Sequence, residues 1–419
     1  MTQAFCDMLY LFSCAVHGTE PESVPTADLR EIQKEAVHQG VWPFVFTSVK
    51  SIAERGGLPK QAELIDEWNQ QLLFSVMNHT RRNALAAETL VKLQQEGIPC
   101  CVLKGETLSA PYALPQCRMS GDVDVLIPKA LENRGCAVLR REGYELMSRG
   151  VGSPHVEAIH PTAGVLELHV SLYDNLCEEQ WFSQGDAVLE EPREFHSEYG
   201  DFLQLGYTDG ALFAFFHFVK HFLSSGGGIK QLTDALVYFA SYAKELDWKR
   251  IEEKIVSAKC DRLFAYMIGV GICYLGFRPE QFPPADYDKA LVDRLAEDLY
   301  ERGGYARKSD ENGEIRVPYL KSLLEEKGKD SEEYLQQKQR QNMMSLLFPR
   351  RKTMEANYPY VMKSPLLLPI AWIHRAFRFA FQRFILRKSG NESTAYQEKD
   401  RTQESQAKRL DLAKDLEML

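Results

Sequence analysis

Two aspartates one residue apart, Asp122 and Asp124, stand in the run Asp122-Val-Asp-Val-Leu-Ile127. In a strand, residues i and i+2 project from one face, so the two carboxylates share a side while Val123 and Val125 turn to the other. Carboxylates held a few ångströms apart repel unless a cation lies between them. Hard oxygen donors of this kind suit Mg²⁺ (or Mn²⁺), which keeps water and completes its shell with substrate phosphates. Glu167 lies in a second expected strand, Val165 to Leu172, with Leu166 and Leu168 facing away from it. If that strand neighbours the first, three carboxylates converge. Two ions held there would clamp the attacking and leaving oxygens of an in-line phosphoryl displacement. A DxD pair on its own is also what a solvated strand end looks like, so the surroundings decide.

Those surroundings are rich in groups suited to phosphate. Leu103-Lys-Gly-Glu-Thr107 follows an expected strand, and a helix is expected to begin near Thr107. Gly105 would let the backbone approach a phosphate closely, and a helix N-terminus there would favour its charge. Lys104 would add a point charge, and an ordinary solvated lysine is its bland alternative. Arg118 and Ser120 lead into the acidic strand and bring a cation and a hydroxyl towards it. His169 follows Glu167 by two and shares its face, where it either orients a phosphate or a metal-bound carboxylate or is a packed histidine. Lys220 and Lys230 flank the Gly226-Gly-Gly228 break, and Lys230 is taken as a nucleotide contact against the alternative of a surface lysine. His217 and His221 have the i, i+4 spacing of zinc sites, but no carboxylate signature or cysteine accompanies them, so zinc is not expected. Asp234 fits either a polar contact on a helix face or plain exposure.

The elements that must position these groups follow from periodicity. Met1 to Val16 reads as a first helix and not a signal peptide, because it carries Asp7 and lacks a basic leader. Helices are expected over Ala27–Gln39, from Leu64 into the 80s, and over Asn83–Gln95, stopped by Gly97. Ile98–Leu103 and Asp122–Ile127 read as strands, with a helix over Lys129–Arg141 closed by Gly143. Tyr144–Met147, His155–His160 and Val165–Leu172 read as further strands, the last two joined by a hairpin turn at Pro161–Gly164. Strict βαβ alternation is missing, which points to a small mixed sheet. Helical patterning returns at Asp209–Leu223, Ile229–Lys244, Trp248–Val256 and Arg262–Leu275. Residues 303–317 read as a loop.

Composition narrows the class of function. The chain has 419 residues, 44% of them hydrophobic and 26% charged, ordinary values for a globular protein of two to three domains. A net charge of −9 argues against broad binding of duplex nucleic acid, which needs a basic face. Nine cysteines without a CxxC pair read as reduced thiols, and no apolar run reaches membrane-spanning length. A cytoplasmic protein is expected. Residues 365–388 are amphipathic and basic, with Ile370, Ile373, Phe377, Phe381 and Phe384 on one stripe. They are read as covering the protein's own core in preference to an anionic membrane surface or an acidic partner.

Four segments together carry a resemblance: Val102-Leu-Lys-Gly-Glu-Thr-Leu108, Pro115-Gln-Cys-Arg118, Gly121-Asp-Val-Asp-Val-Leu126 and Leu166-Glu-Leu-His169. They are similar to the polymerase-beta-like nucleotidyltransferase superfamily, and in particular to its large, poorly characterised bacterial branch. That superfamily joins a glycine-led turn to an hDhDh strand and a later h[DE]h strand. Weaker similarity extends through His217, His221 and Asp234 and through Leu347-Phe-Pro349 and Tyr358-Pro359. The resemblance implies that Asp122 and Asp124 bind both of two Mg²⁺ (or Mn²⁺) ions. It implies that Glu167 holds the catalytic ion and activates an acceptor hydroxyl, and that Gly105 faces the triphosphate. Glu106 departs from the Gly or Ser usual after the glycine, a change that bears on phosphate geometry, and Thr107 is expected to supply the hydroxyl.

The expected fold is α+β: N-terminal helices over 1–96, a nucleotidyltransferase core over 97–206 and a helical domain over 207–300. A C-terminal extension over 301–388 and a polar tail over 389–419, disordered or carrying a short terminal helix, complete it. The expected function is transfer of a nucleoside monophosphate from an NTP to an unidentified small molecule, peptide or glycan, with pyrophosphate leaving. The alternatives are a nucleotide-binding regulatory protein without turnover, or a related group transfer on the same scaffold.

Overall fold

In the computed structural model the described residues are 1–118, 120–147, 155–172, 192–197, 199–224, 227–303, 367–374 and 411–418. Four helices come first: α1 (Gln3–His17), α2 (Leu29–His38), α3 (Trp42–Glu54) and α4 (Ala62–Gln95). Their starts are set by local chemistry. Thr2 and Asp28 accept hydrogen bonds from the backbone N–H groups of Phe5 and Arg30, which would otherwise lack partners. Gly97, at a positive φ of 69°, ends the last helix as its sequence position suggests.

Seven strands then build one mixed sheet: β1 (Cys101–Val102), β2 (Asp122–Leu126), β3 (Glu145–Leu146), β4 (His155–His160), β5 (Gly164–His169), β6 (Arg193–Ser197) and β7 (Gly200–Gln204). Their order is β3-β4-β5-β2-β1-β7-β6. β2 pairs parallel to β5 and antiparallel to β1, and β1 pairs parallel to β7. The short helix α5 (Glu106–Ser109) follows β1, and α6 (Glu132–Arg141) follows β2 after one 3-10 turn. The hairpin of β6 and β7 was not expected from the sequence. Its first strand, Arg-Glu-Phe-His-Ser, is nowhere fully buried and has one apolar residue, Phe195, so it lacks an apolar run.

One face of the sheet is apolar. Val125, Val156, Leu166 and Leu168 pack there against Leu90 and Leu93 of α4 and Val138 and Leu139 of α6. Burying a side chain of this size contributes roughly 1.5–3 kcal/mol, so this layer fixes which residues must point the other way. Asp122, Asp124 and Glu167 alternate with it and occupy the opposite face.

Five helices follow: α7 (Tyr207–Ser224), α8 (Ile229–Ser241), α9 (Trp248–Ser257), α10 (Asp261–Tyr274) and α11 (Lys289–Arg302). α7 and α8 carry a buried aromatic layer in which Phe215 and Phe239 both meet Phe264 edge-on. The α+β architecture expected from the sequence is therefore found. Among the described residues, those up to 303 with 414–418 form one compact unit, and 367–374 with 411–413 belong to a second.

In that second unit Ile370 and Ile373 are exposed within a short helical stretch. Phe377, Phe381, Phe384, the 304–317 segment, Met119 and Cys177 lie outside the described residues. Among the described residues no helix is long and apolar enough to cross a membrane, and the described cysteines are free thiols.

Candidate active site

The parallel register of β2 and β5 sets Asp124 directly opposite Glu167 and Asp122 opposite Val165. Side chains of one face on neighbouring strands lie within reach of each other, and the three carboxylates offer oxygens that all fall within 4.8 Å. The sequence expectation that Glu167 joins the aspartate pair is met in space.

A cation already sits between the aspartates. The Lys104 Nζ lies 3.0 Å from Asp122 Oδ2 and 2.9 Å from Asp124 Oδ2. Lys104 is buried just after β1, where the antiparallel pairing of β1 and β2 directs it to the acids instead of to solvent. Burial by itself would lower its pKa, but Asp124 and then Asp122 outweigh this and hold the ammonium charged. Burial would likewise raise Asp124, yet Lys104 and the hydrogen bond from His169 keep its carboxyl well below the usual range. This arrangement suits a divalent cation. Asp122 and Asp124 already take an ammonium at contact distance, and with Glu167 they offer the clustered oxygen donors that Mg²⁺ or Mn²⁺ requires.

His169 is also buried, with Nε2 3.2 Å from Asp124 Oδ1 and 3.3 Å from Glu167 Oε2. Burial lowers its pKa, but hydrogen bonds to Asp124 and Glu167 reverse the shift and raise it. Ser120 donates its hydroxyl to Asp122 Oδ1 at 2.9 Å. Gly105 sits at φ 93°, ψ −119°, a conformation open to glycine and costly for other residues, and it starts α5. An added Cβ there would meet nothing within 4 Å, so the requirement for glycine lies in the backbone and not in crowding. Thr107, expected to offer its hydroxyl, is buried, and its Oγ1 has no hydrogen-bond partner among the described residues.

Arg118 does not join the carboxylates. Its guanidinium is fully buried and donates to Asp234 Oδ1 at 2.7 Å and Oδ2 at 2.8 Å, with a third bond to the Gly105 carbonyl at 3.1 Å. Tyr112 donates to the same Asp234 at 2.7 Å, and Lys230 Nζ stands 3.5 Å away. These contacts lock the Gly105 turn to α8, so Arg118 and Asp234 shape the cleft instead of lining it. Burial, reinforced by repulsion from Arg118, lowers Lys230 to about 8.

Sequence reasoning missed two histidines, His155 and His79, and saw only the helical spacing of His217 and His221. His155 on β4 pairs in register with His169 and puts Nε2 3.6 Å from Glu167 Oε2. His79 on α4 lies close enough to Arg82, Arg118 and Lys230 for their charges to act on it, and burial with those charges pushes it down to about 4. His217 and His221 share a hydrogen bond at 3.3 Å and lie within the fields of Lys104 and the aspartates. The signal available for His155 was its alternation with the apolar Val156 and Ala158, which places it on the face away from the core but gave no hint of the partner.

The profile of a protein family described as "Uncharacterised nucleotidyltransferase" matches residues 25–275, more than half of the chain. That span includes the whole of the sheet and the cleft. No curated protein and no solved structure matches.

Proposed function

The chain belongs to the uncharacterised nucleotidyltransferase family, and on that premise we propose that it transfers a nucleoside monophosphate from an NTP to a hydroxyl-bearing acceptor, releasing pyrophosphate. The observation that carries this reading is the convergence of Asp122, Asp124 and Glu167 within 4.8 Å across the β2–β5 register. Asp122 and Asp124 hold two divalent ions, and Glu167 holds one of them and activates the acceptor hydroxyl. When bound, Mg²⁺ or Mn²⁺ supplies charge neutralisation for the in-line displacement.

The remaining residues act on position and charge. In the metal-free protein His169 fixes the rotamers of Asp124 and Glu167 through its Nε2. Ser120 does the same for Asp122. Lys104, once released from the aspartates, would meet the triphosphate from the floor of the cleft. The Gly105 backbone, without a Cβ, admits a phosphate oxygen beside it. Lys230, held by Asp234 on α8, places a further cation for the nucleotide. Most of the catalysis then comes from positioning and from oriented charge.

The test is pyrophosphate release from each NTP, with Mg²⁺ or with chelator, in the presence of a metabolite extract. Mass spectrometry then reads the added nucleoside monophosphate on the acceptor. The expected result is metal-dependent release that Asp122→Asn and Asp124→Asn abolish. Release that persists in the folded Asp122→Asn protein overturns the reading.

A further inference from the structure

His155, Glu167 and His169 form a second convergent set on the same sheet face, with ligand atoms that all lie within 4.8 Å of one another. The two histidines are register partners on β4 and β5, and Glu167 lies two residues before His169 on the same face. The separations of Glu167 Oε2 from the two Nε2 atoms are 3.3 and 3.6 Å. Ligands about 2.1 Å from a tetrahedral ion stand about 3.4 Å from each other, so both separations match edges of such a site. The set narrows from a buried base at His169, 5% exposed, to an open side at His155 and Glu167, 18% and 21% exposed. That opening admits an ion and leaves a coordination position for water or a substrate oxygen.

We propose that His155, His169 and Glu167 bind a divalent transition ion of the Zn²⁺, Co²⁺ or Mn²⁺ class, sharing Glu167 with the all-oxygen site of Asp122 and Asp124. Two imidazoles and one carboxylate suit such ions, whereas Mg²⁺ is served by oxygen donors. The centre would then be mixed, with hard ions on the aspartates, a borderline ion on the histidines, and Glu167 available to both. This site depends on the nucleotidyl-transfer reading only through the shared carboxylate.

The experiment uses the full chain stripped by chelator and titrated with Co²⁺, whose ligand-field absorption reports nitrogen and oxygen coordination. Wild type is expected to develop the bands as an ion fills the histidine site. His155→Gln should weaken that binding by more than about 100-fold, the upper end of what losing an outer-shell partner costs. Asp122→Asn should keep the bands, because it touches only the oxygen site. His155→Cys retains a ligand and should add a thiolate-to-cobalt charge-transfer band, a readout that settles the matter if the glutamine variant fails to fold. Absence of bands in wild type, bands unchanged in folded His155→Gln, or no charge-transfer band in folded His155→Cys overturns the site. Pyrophosphate release measured on the same samples separates the two ideas. Cobalt bands that respond to His155 without any NTP turnover leave this site standing and sink the transferase reading.

Discussion

Arg118 and Asp234 form a bidentate pair, 2.7 and 2.8 Å, between the entry to the acidic strand and helix α8, and both are almost wholly buried. Burial would raise the Asp234 carboxyl, but Arg118 and then Lys230 hold it below its ordinary value. Removing one partner of such a pair strands the other charge. Asp234→Ala is expected to destabilise the fold by about 3–5 kcal/mol. Urea denaturation checks this. A loss under about 1 kcal/mol would mean that water reaches Arg118 and that the clamp does not organise the Gly105 turn.

Lys104 is expected to act as an internal counterion that a divalent metal replaces. In Lys104→Met, two aspartates lose their only close ammonium among the described residues, and the metal-free protein should lose about 3 kcal/mol. Mg²⁺ should then raise the melting temperature of the variant more than that of wild type, because its ligands no longer have a competitor. Melting curves with Mg²⁺ and with chelator give the comparison, and an equal metal response in both proteins would refute the exchange.

The two aspartates should differ in stability while agreeing in turnover. Asp122 is 31% exposed at its side chain, whereas Asp124 is 3% exposed and bonded to both Lys104 and His169. Asp122→Asn should stay within about 1 kcal/mol of wild-type stability, while Asp124→Asn leaves Lys104 and His169 poorly matched and should cost several times more. Both remove a charged metal ligand, so NTP turnover should fall roughly a thousandfold, about 4 kcal/mol of barrier. Glu167→Gln should match them in turnover and weaken NTP binding less. Paired activity and thermal assays distinguish these outcomes.

Acid should destabilise the protein before its carboxylates titrate. Burial is the main cause that takes His79 and His221 from 6.5 to about 4, and it moves His217 the same way. In the folded state these rings stay neutral between those values while the unfolded chain binds protons. Their contribution is therefore complete above about pH 6.5 and is lost as pH falls towards 4, by up to about 3 kcal/mol for each of His79 and His221. Asp124 and Asp234, held below 3.8, add their own loss only at lower pH. Denaturation at stepped pH should show His221→Gln flattening this window, and an unchanged slope would contradict the assignment.

Much of the site was legible in the chain because it depends on local geometry. The i, i+2 spacing of Asp122 and Asp124 puts both on one strand face whatever the rest of the molecule does, and the same alternation sends Val125, Leu166 and Leu168 to the core. Gly105 was legible as a turn because its φ of 93° is one that side chains resist. What lay beyond the sequence were the relations between distant segments. Glu167 meets Asp124 only because β5 pairs parallel to β2 in one particular register, and a slip of one residue would turn it into the core. His155 joins Glu167 through the β4–β5 hairpin, whose His160–Gly164 closure fixes which residues face each other. Arg118, expected at the carboxylates from its place beside them in sequence, turns to Asp234 instead. A buried guanidinium needs a carboxylate that fills its fork, and α8 supplies one where the aspartates already hold Lys104. Residue spacing determined which side chains share a face, and strand register with the docking of α8 decided which charges meet, because burial allows none of them to remain unpaired.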